Sequence, residues 1–223
     1  MNLDGSIALW ATVVAFGAYH GLNPAMGWPL AVASGLSAGR ESAVLAALMP
    51  LAAGHLIAMA AVLLPFALLS EMVAHRQAVQ LVAGSLVLLF GVYKLLNRRH
   101  PRYLARIRPT QLAWWSFSMA MAHGAGLMLV PVALGLCVAA PAGANGVSAV
   151  DSLLRSNLAT AVQVAMVHTS AMLLTGVAVA WACYRFLGLQ FVRRAWFNLD
   201  LLWGASLVLA GGVACAVAAS APY

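Results

Sequence analysis

Tyr19-His20-Gly21-Leu22-Asn23-Pro24-Ala25-Met26-Gly27-Trp28-Pro29 interrupts a long apolar run in which a helix would otherwise be continuous. Pro24 and Pro29 remove backbone donors, and Gly21 and Gly27 loosen the chain. The stretch therefore predicts a kinked or partly unwound helix. Inside a bilayer such a break survives only where protein or a water-lined cavity satisfies the freed backbone groups. It also carries His20, Asn23 and Met26, side chains that a helix facing lipid has no use for. It reads as half of a binding site.

The surrounding composition says which solvent to expect. Of the 223 residues, 64% are hydrophobic and 8% charged, with a mean hydropathy of +0.92. A soluble domain carries about 25% charged residues, so the chain reads as a multi-span membrane protein. Met1-Asn2-Leu3-Asp4-Gly5 lacks the basic start of a signal peptide. The net charge of +7 fits basic helix ends that orient a protein in the bilayer better than a nucleic-acid surface. Cys137, Cys183 and Cys215 are widely spaced in apolar surroundings and read as small core residues.

A span needs about 20 mainly apolar residues, and six segments qualify: Ile7 to Ser37, containing the break; Ser42 to Leu69, with Pro50 and Pro65 as kinks or ends; Gln77 to Leu96; Gln111 to Ala139, with Pro131 inside; Leu158 to Tyr184; and Trp196 to Ala219. The Gly/Ala/Ser-rich segment Pro141 to Asn157 reads as a loop. With six spans, all Lys and Arg except Arg76 and Arg155 fall on one side. The positive-inside rule then puts those connections in the cytoplasm and both termini outside, as for a bacterial inner-membrane protein.

An internal repeat follows. His20-Gly21 recurs as His123-Gly124, and Gly54-His55 is matched by Val167-His168, each with a Met four residues on (Met59, Met172). Ser85-Leu86-Val87-Leu88 recurs as Ser206-Leu207-Val208-Leu209. The correspondences keep their order, so residues 1–97 and 111–223 form two three-span halves joined by a basic linker, 98–110. An odd number of spans inverts the second half, the topology of many secondary transporters, whose site lies near the midplane between the repeats. The expected fold is all-α.

His20, His55, His123 and His168 each fall about ten residues from a span end, the depth of the bilayer centre. Ionisable groups there are costly and face a cavity or a partner. Neutral imidazole suits transition metals and haem iron. Met26 and Met128 stand beside the Pro-containing segments of their halves and could add thioether ligands. Asn23, Pro24, Pro131 and Thr169 complete the expected path, with helices broken around Pro24 and Pro131. The five acids, Asp4, Glu41, Glu71, Asp151 and Asp200, all lie near predicted span ends. A magnesium or calcium site, which wants carboxylate oxygen, is not expected. His75 and His100 read as solvated. Phosphate-cradling Gly loops, a Ser/His/Asp set and His-Glu-x-x-His are missing, so no enzyme is expected.

His20-Gly21-Leu22-Asn23-Pro24 resembles the first-span signature of the nickel/cobalt transporter group, and Gly54-His55 resembles the Gly-His of its second span. The layout of two three-span halves with a Pro-broken first helix is similar to the LysE and cytochrome-biogenesis membrane protein superfamily. The resemblance implies a metal transporter. Where that group carries an acid and a second His, this chain has Asn23, Pro24, Ala25 and Met26, which admits a softer or monovalent cation.

The expectation is a membrane transporter of a small cation, a transition-metal ion, with His20, His55, His123 and His168 as ligands or gates. The alternatives are an intramembrane haem or electron-transfer protein and a transporter of a small organic solute or anion. Lipid is the expected partner, nucleic acid is not, and a homo-oligomer is admitted.

Overall fold

The computed structural model describes residues 3–68, 76–97, 111–122, 124–137, 147–187 and 199–220. Among these there are helices and no strands: α1 (Leu3–Leu22), a 3-10 turn (Pro24–Met26), α2 (Trp28–Ala38), α3 (Glu41–Leu68), α4 (Arg76–Leu96), α5 (Leu112–Ala122), α6 (Ala125–Leu136), α7 (Val147–Ala182), which runs into a π-helical turn (Cys183–Leu187), and α8 (Leu199–Ser220). The expected linker 98–110 and the two connecting histidines, His75 and His100, lie outside the described residues.

Glu41–Ala67, Gln77–Leu96 and Arg155–Leu187 are long and apolar enough to cross a bilayer. Leu112–Met121 and Ala125–Leu134, bent by 60° at a short break, make a fourth if taken as one broken span, and Ser6–Leu22 is apolar but shorter. Large apolar side chains such as Ile57, Leu89, Leu174 and Leu209 point outward from these helices. That surface suits hydrocarbon, and the chain is an all-α membrane protein.

Two expectations about where helices start and stop need correction. The segment Pro141 to Asn157 is not a loop throughout, because α7 begins at Val147 and spans 36 residues, about 54 Å. Pro141, Gly143 and Gly146 precede that start, and Val147 to Asn157 contains neither Gly nor Pro, so nothing there ends a helix. The break in the fourth span falls at Gly124, which takes a left-handed φ of 67°. Pro131 lies inside α6. A proline withdraws one donor and bends a helix, whereas a left-handed residue ends its hydrogen-bond ladder. Pro50 and Pro65 are likewise interior to α3.

The central helices are α1, α3 and α7. α1 lies parallel to α7, with Gly17 and Gly21 set against the backbone of His168 and Met172. The lack of a side chain there lets the two backbones touch. α5 lies along α3: Leu112 shares one buried apolar cluster with Leu48 and Leu51, while Phe117 and Ala120 belong to another with Ala58 and Leu63. The Ser116 hydroxyl donates to the Leu51 carbonyl at 2.7 Å, tying α5 to α3 one turn before His55. α4 and α8 form an antiparallel pair, with Gly91 against Val208 and Gln77 donating to the Ala218 carbonyl at 2.9 Å. α6 joins this pair to the centre through Met128, which packs with Val87 and Leu207.

Candidate functional site

α1 stops at Leu22 because the residues after it cannot extend it. Asn23 leaves helical geometry (φ −72°, ψ 116°), and its Oδ1 accepts from the Ala25 N–H at 3.0 Å. The Asn23 N–H itself donates back to the carbonyls of Tyr19 and His20, both at 3.1 Å. Pro24 then opens the 3-10 turn, where its missing donor costs nothing. Gly27 ends that turn and starts α2 with φ at 100°, and a β-carbon there would meet Leu51 at 2.8 Å and Trp115 at 2.9 Å. The Trp28 indole N–H donates across the gap to the Leu22 carbonyl at 3.1 Å. The expected unwinding is present as a built and buried turn.

That turn delivers His20 to two other histidines. His20 from α1, His55 from α3 and His168 from α7 are 3%, 0% and 0% exposed. Their ring centroids are 5.0 Å (His20 to His168), 5.5 Å (His55 to His168) and 5.8 Å (His20 to His55) apart. His20 Nδ1–H donates to the Phe16 carbonyl at 2.8 Å. A carbonyl can only accept, so the neutral ring carries its lone pair on Nε2. The ring nitrogens of His168 are buried beside the Val13 backbone, and among the described residues no partner meets them in hydrogen-bond geometry. Asn23 Nδ2 and Thr169 Oγ1 are likewise buried with no such partner among the described residues. Orphaned buried polar atoms are rare in folded proteins and mark places where a water, ion or ligand completes the set.

Three imidazoles around one tetrahedral ion, with metal–nitrogen bonds of about 2.0–2.1 Å, have ring centroids roughly 5 Å apart. The observed separations are at or somewhat above that figure. His55 and His168 stack nearly parallel, at 14°, where rings converging on a common ion would splay. Among the described residues no group of three His, Cys, Asp or Glu is arranged to hold a metal ion.

A cavity of about 20 Å³ lies one turn from the rings, lined by Gly21, Met26, Leu51 and Met172 among others. A second, larger cavity of about 280 Å³ opens beside the Gly124 break, between α3 at Val62 and Phe66 and the α5–α6 junction at Met121. Met128 and Pro131, expected on the path, belong to α6, and the Met128 side chain packs toward α4 and α8. His123 lies outside the described residues. Sequence reasoning missed the Trp28 clamp, whose one signal was an indole at the centre of an apolar run, directly after a Pro/Gly break.

Fold and site together define a class: an all-helical membrane protein with a buried imidazole cluster at a broken helix. Comparison with protein-family profiles, curated proteins and solved structures finds no match to this chain.

Proposed function

We propose that this protein is a transporter of a small cation, a transition-metal ion, which passes between the rings of His20, His55 and His168. The observation that carries the reading is that residues 20, 55 and 168, far apart in the chain, bring buried rings within 6 Å of each other. Buried ionisable side chains in a membrane protein line substrate or ion pathways by default. His123 is assigned to the same path from its repeat relation to His20. The water-sized cavity beside the rings has room for a bare ion and not for a haem, which needs a pocket of several hundred Å³.

The reading takes α1 with α2 as one broken span, α3, α4, α5 with α6 as a second broken span, α7 and α8, six in all. Their packing supports two inverted repeats. The parallel pair α1 and α7 would map onto α5 and α3, while α3 with α7 and α4 with α8 would each be self-related antiparallel pairs. Both termini would lie outside a bacterial inner membrane, with the basic connections in the cytoplasm.

The test is elemental analysis and metal flux with the full chain in proteoliposomes. Wild-type protein should move at least one first-row transition metal. His20→Gln and His168→Gln should abolish that flux while the intrinsic tryptophan emission and elution volume stay unchanged. Undiminished flux in both variants, or no flux of any metal by the wild type, overturns the proposal.

A further inference from the structure

The histidines do not stand alone on their helices. Met59 lies four residues after His55 on α3, and Met172 four residues after His168 on α7. That spacing puts each thioether on the same helix face as its imidazole. Met59, Met172 and Met26 are 0%, 6% and 6% exposed. Because α3 and α7 run antiparallel, the two methionines flank the rings on opposite sides. Met172 is on the side of the small cavity, where it lines the wall together with Met26 and with Leu48 and Leu51, which precede His55. Met59 lies the other way along α3, toward the segment from Ala61 to Phe66 that lines the larger cavity.

We propose that the ion this path takes is soft and monovalent, Cu(I) or its analogue Ag(I), handed along a Met59–imidazole–Met172/Met26 ladder. The inference rests on the transporter reading and adds the substrate class. No Asp or Glu enters the described centre of the molecule. Asp4 and Glu41 stand in first helical turns, and Asp151 and Asp200 near helix starts. The desolvation cost of an ion grows with the square of its charge, so a divalent ion meets about a fourfold penalty that neutral imidazoles and thioethers do little to offset. Thioethers select Cu(I) among the biological metals. Among the described residues no three of the ligating groups are arranged to hold one ion together, and a d10 monovalent ion is content with fewer donors. The C-terminal end of α1, beside Met26, adds the partial negative charge of a helix end, which favours a cation there. The cavity holds a bare ion and no hydration shell, so its ligands must come from the protein.

The experiment uses the full chain, purified and kept anaerobic, with Cu(I) supplied under ascorbate in competition with bicinchoninate, and X-ray absorption of the loaded protein. The expected spectrum contains both nitrogen and sulfur scatterers. Met26→Leu with Met172→Leu, a near volume-conserving change, should reduce the sulfur contribution to what Met59 supplies and weaken Cu(I) binding by roughly tenfold or more. Met49→Leu, on the exposed side of α3, should change neither. Ag(I) should follow Cu(I) in binding and in proteoliposome uptake, with Ni(II), Co(II) and Zn(II) left behind. Nitrogen-only scattering by the wild-type protein, together with unchanged affinity in the double variant, overturns the ladder. Movement of Ni(II), Co(II) or Zn(II) without Cu(I) overturns the substrate class and leaves the transporter standing. Absence of binding and flux for every metal removes both.

Discussion

Gly27 concentrates the local demands of the broken helix in one residue. Its φ of 100° is open to glycine alone at low cost, and its α-carbon faces Leu51 and Trp115 with no room for a methyl group. Gly27→Ala should therefore cost about 1–3 kcal/mol in backbone strain, plus the displacement of two buried side chains. Thermal unfolding in detergent followed by tryptophan emission measures it. Asn23 works through a cap: its Oδ1 holds the Ala25 N–H at 3.0 Å, so Asn23→Ala should cost about 0.5–2 kcal/mol in the same assay. A loss well below that range would mean the turn is held by Trp28 and Gly27 alone.

Helix breaks are element-scale features, and the two among the described residues at Asn23–Gly27 and Gly124 differ in what enforces them. The first is set by a capped turn and walled in by α3 and α5. The second depends on the left-handed φ of Gly124, where a β-carbon would meet none of the described residues within 4 Å. Gly124→Ala should then cost only the backbone preference, about 1–2 kcal/mol, and less than Gly27→Ala in parallel melts. Equal losses would contradict the open space drawn beside Gly124. The expected break near Pro131 failed for a general reason. Proline marks a donor that must be missing but not where the ladder ends, and α6 absorbs it as α3 absorbs Pro50 and Pro65. The long start of α7 was hidden by composition, since its Ser, Asn and Ala residues resemble loop content in a one-dimensional reading.

Across the whole molecule, the arrangement can be checked without reference to function. Ser85 on α4 and Cys215 on α8 bring their side-chain atoms to 3.7 Å. Ser85→Cys should cross-link to the native Cys215 under mild oxidant, seen as lost free thiol and a faster non-reducing gel band, reversed by dithiothreitol. The antiparallel register of α4 and α8 predicts this, and a parallel register with matched ends would leave the two thiols roughly 10 Å apart. The pairing joins the third segment of each repeat, so the cross-link also tests the packing that the inverted-repeat reading requires.

By itself the sequence determined the solvent, the helical class, the first break and three buried histidines, His20, His55 and His168. These follow from composition, from apolar runs of bilayer length, from a cluster of helix breakers and from ionisable residues too deep in apolar sequence to be incidental. Tertiary structure alone decided which of those residues meet. Whether His20 approaches His168 depends on Gly17 and Gly21 letting α1 touch α7, and the Met128 side chain packs with Val87 and Leu207 because its face of α6 turns toward α4 and α8. Helical periodicity records which residues share a face, while the neighbour that face meets is set by close packing between helices, which no single segment encodes.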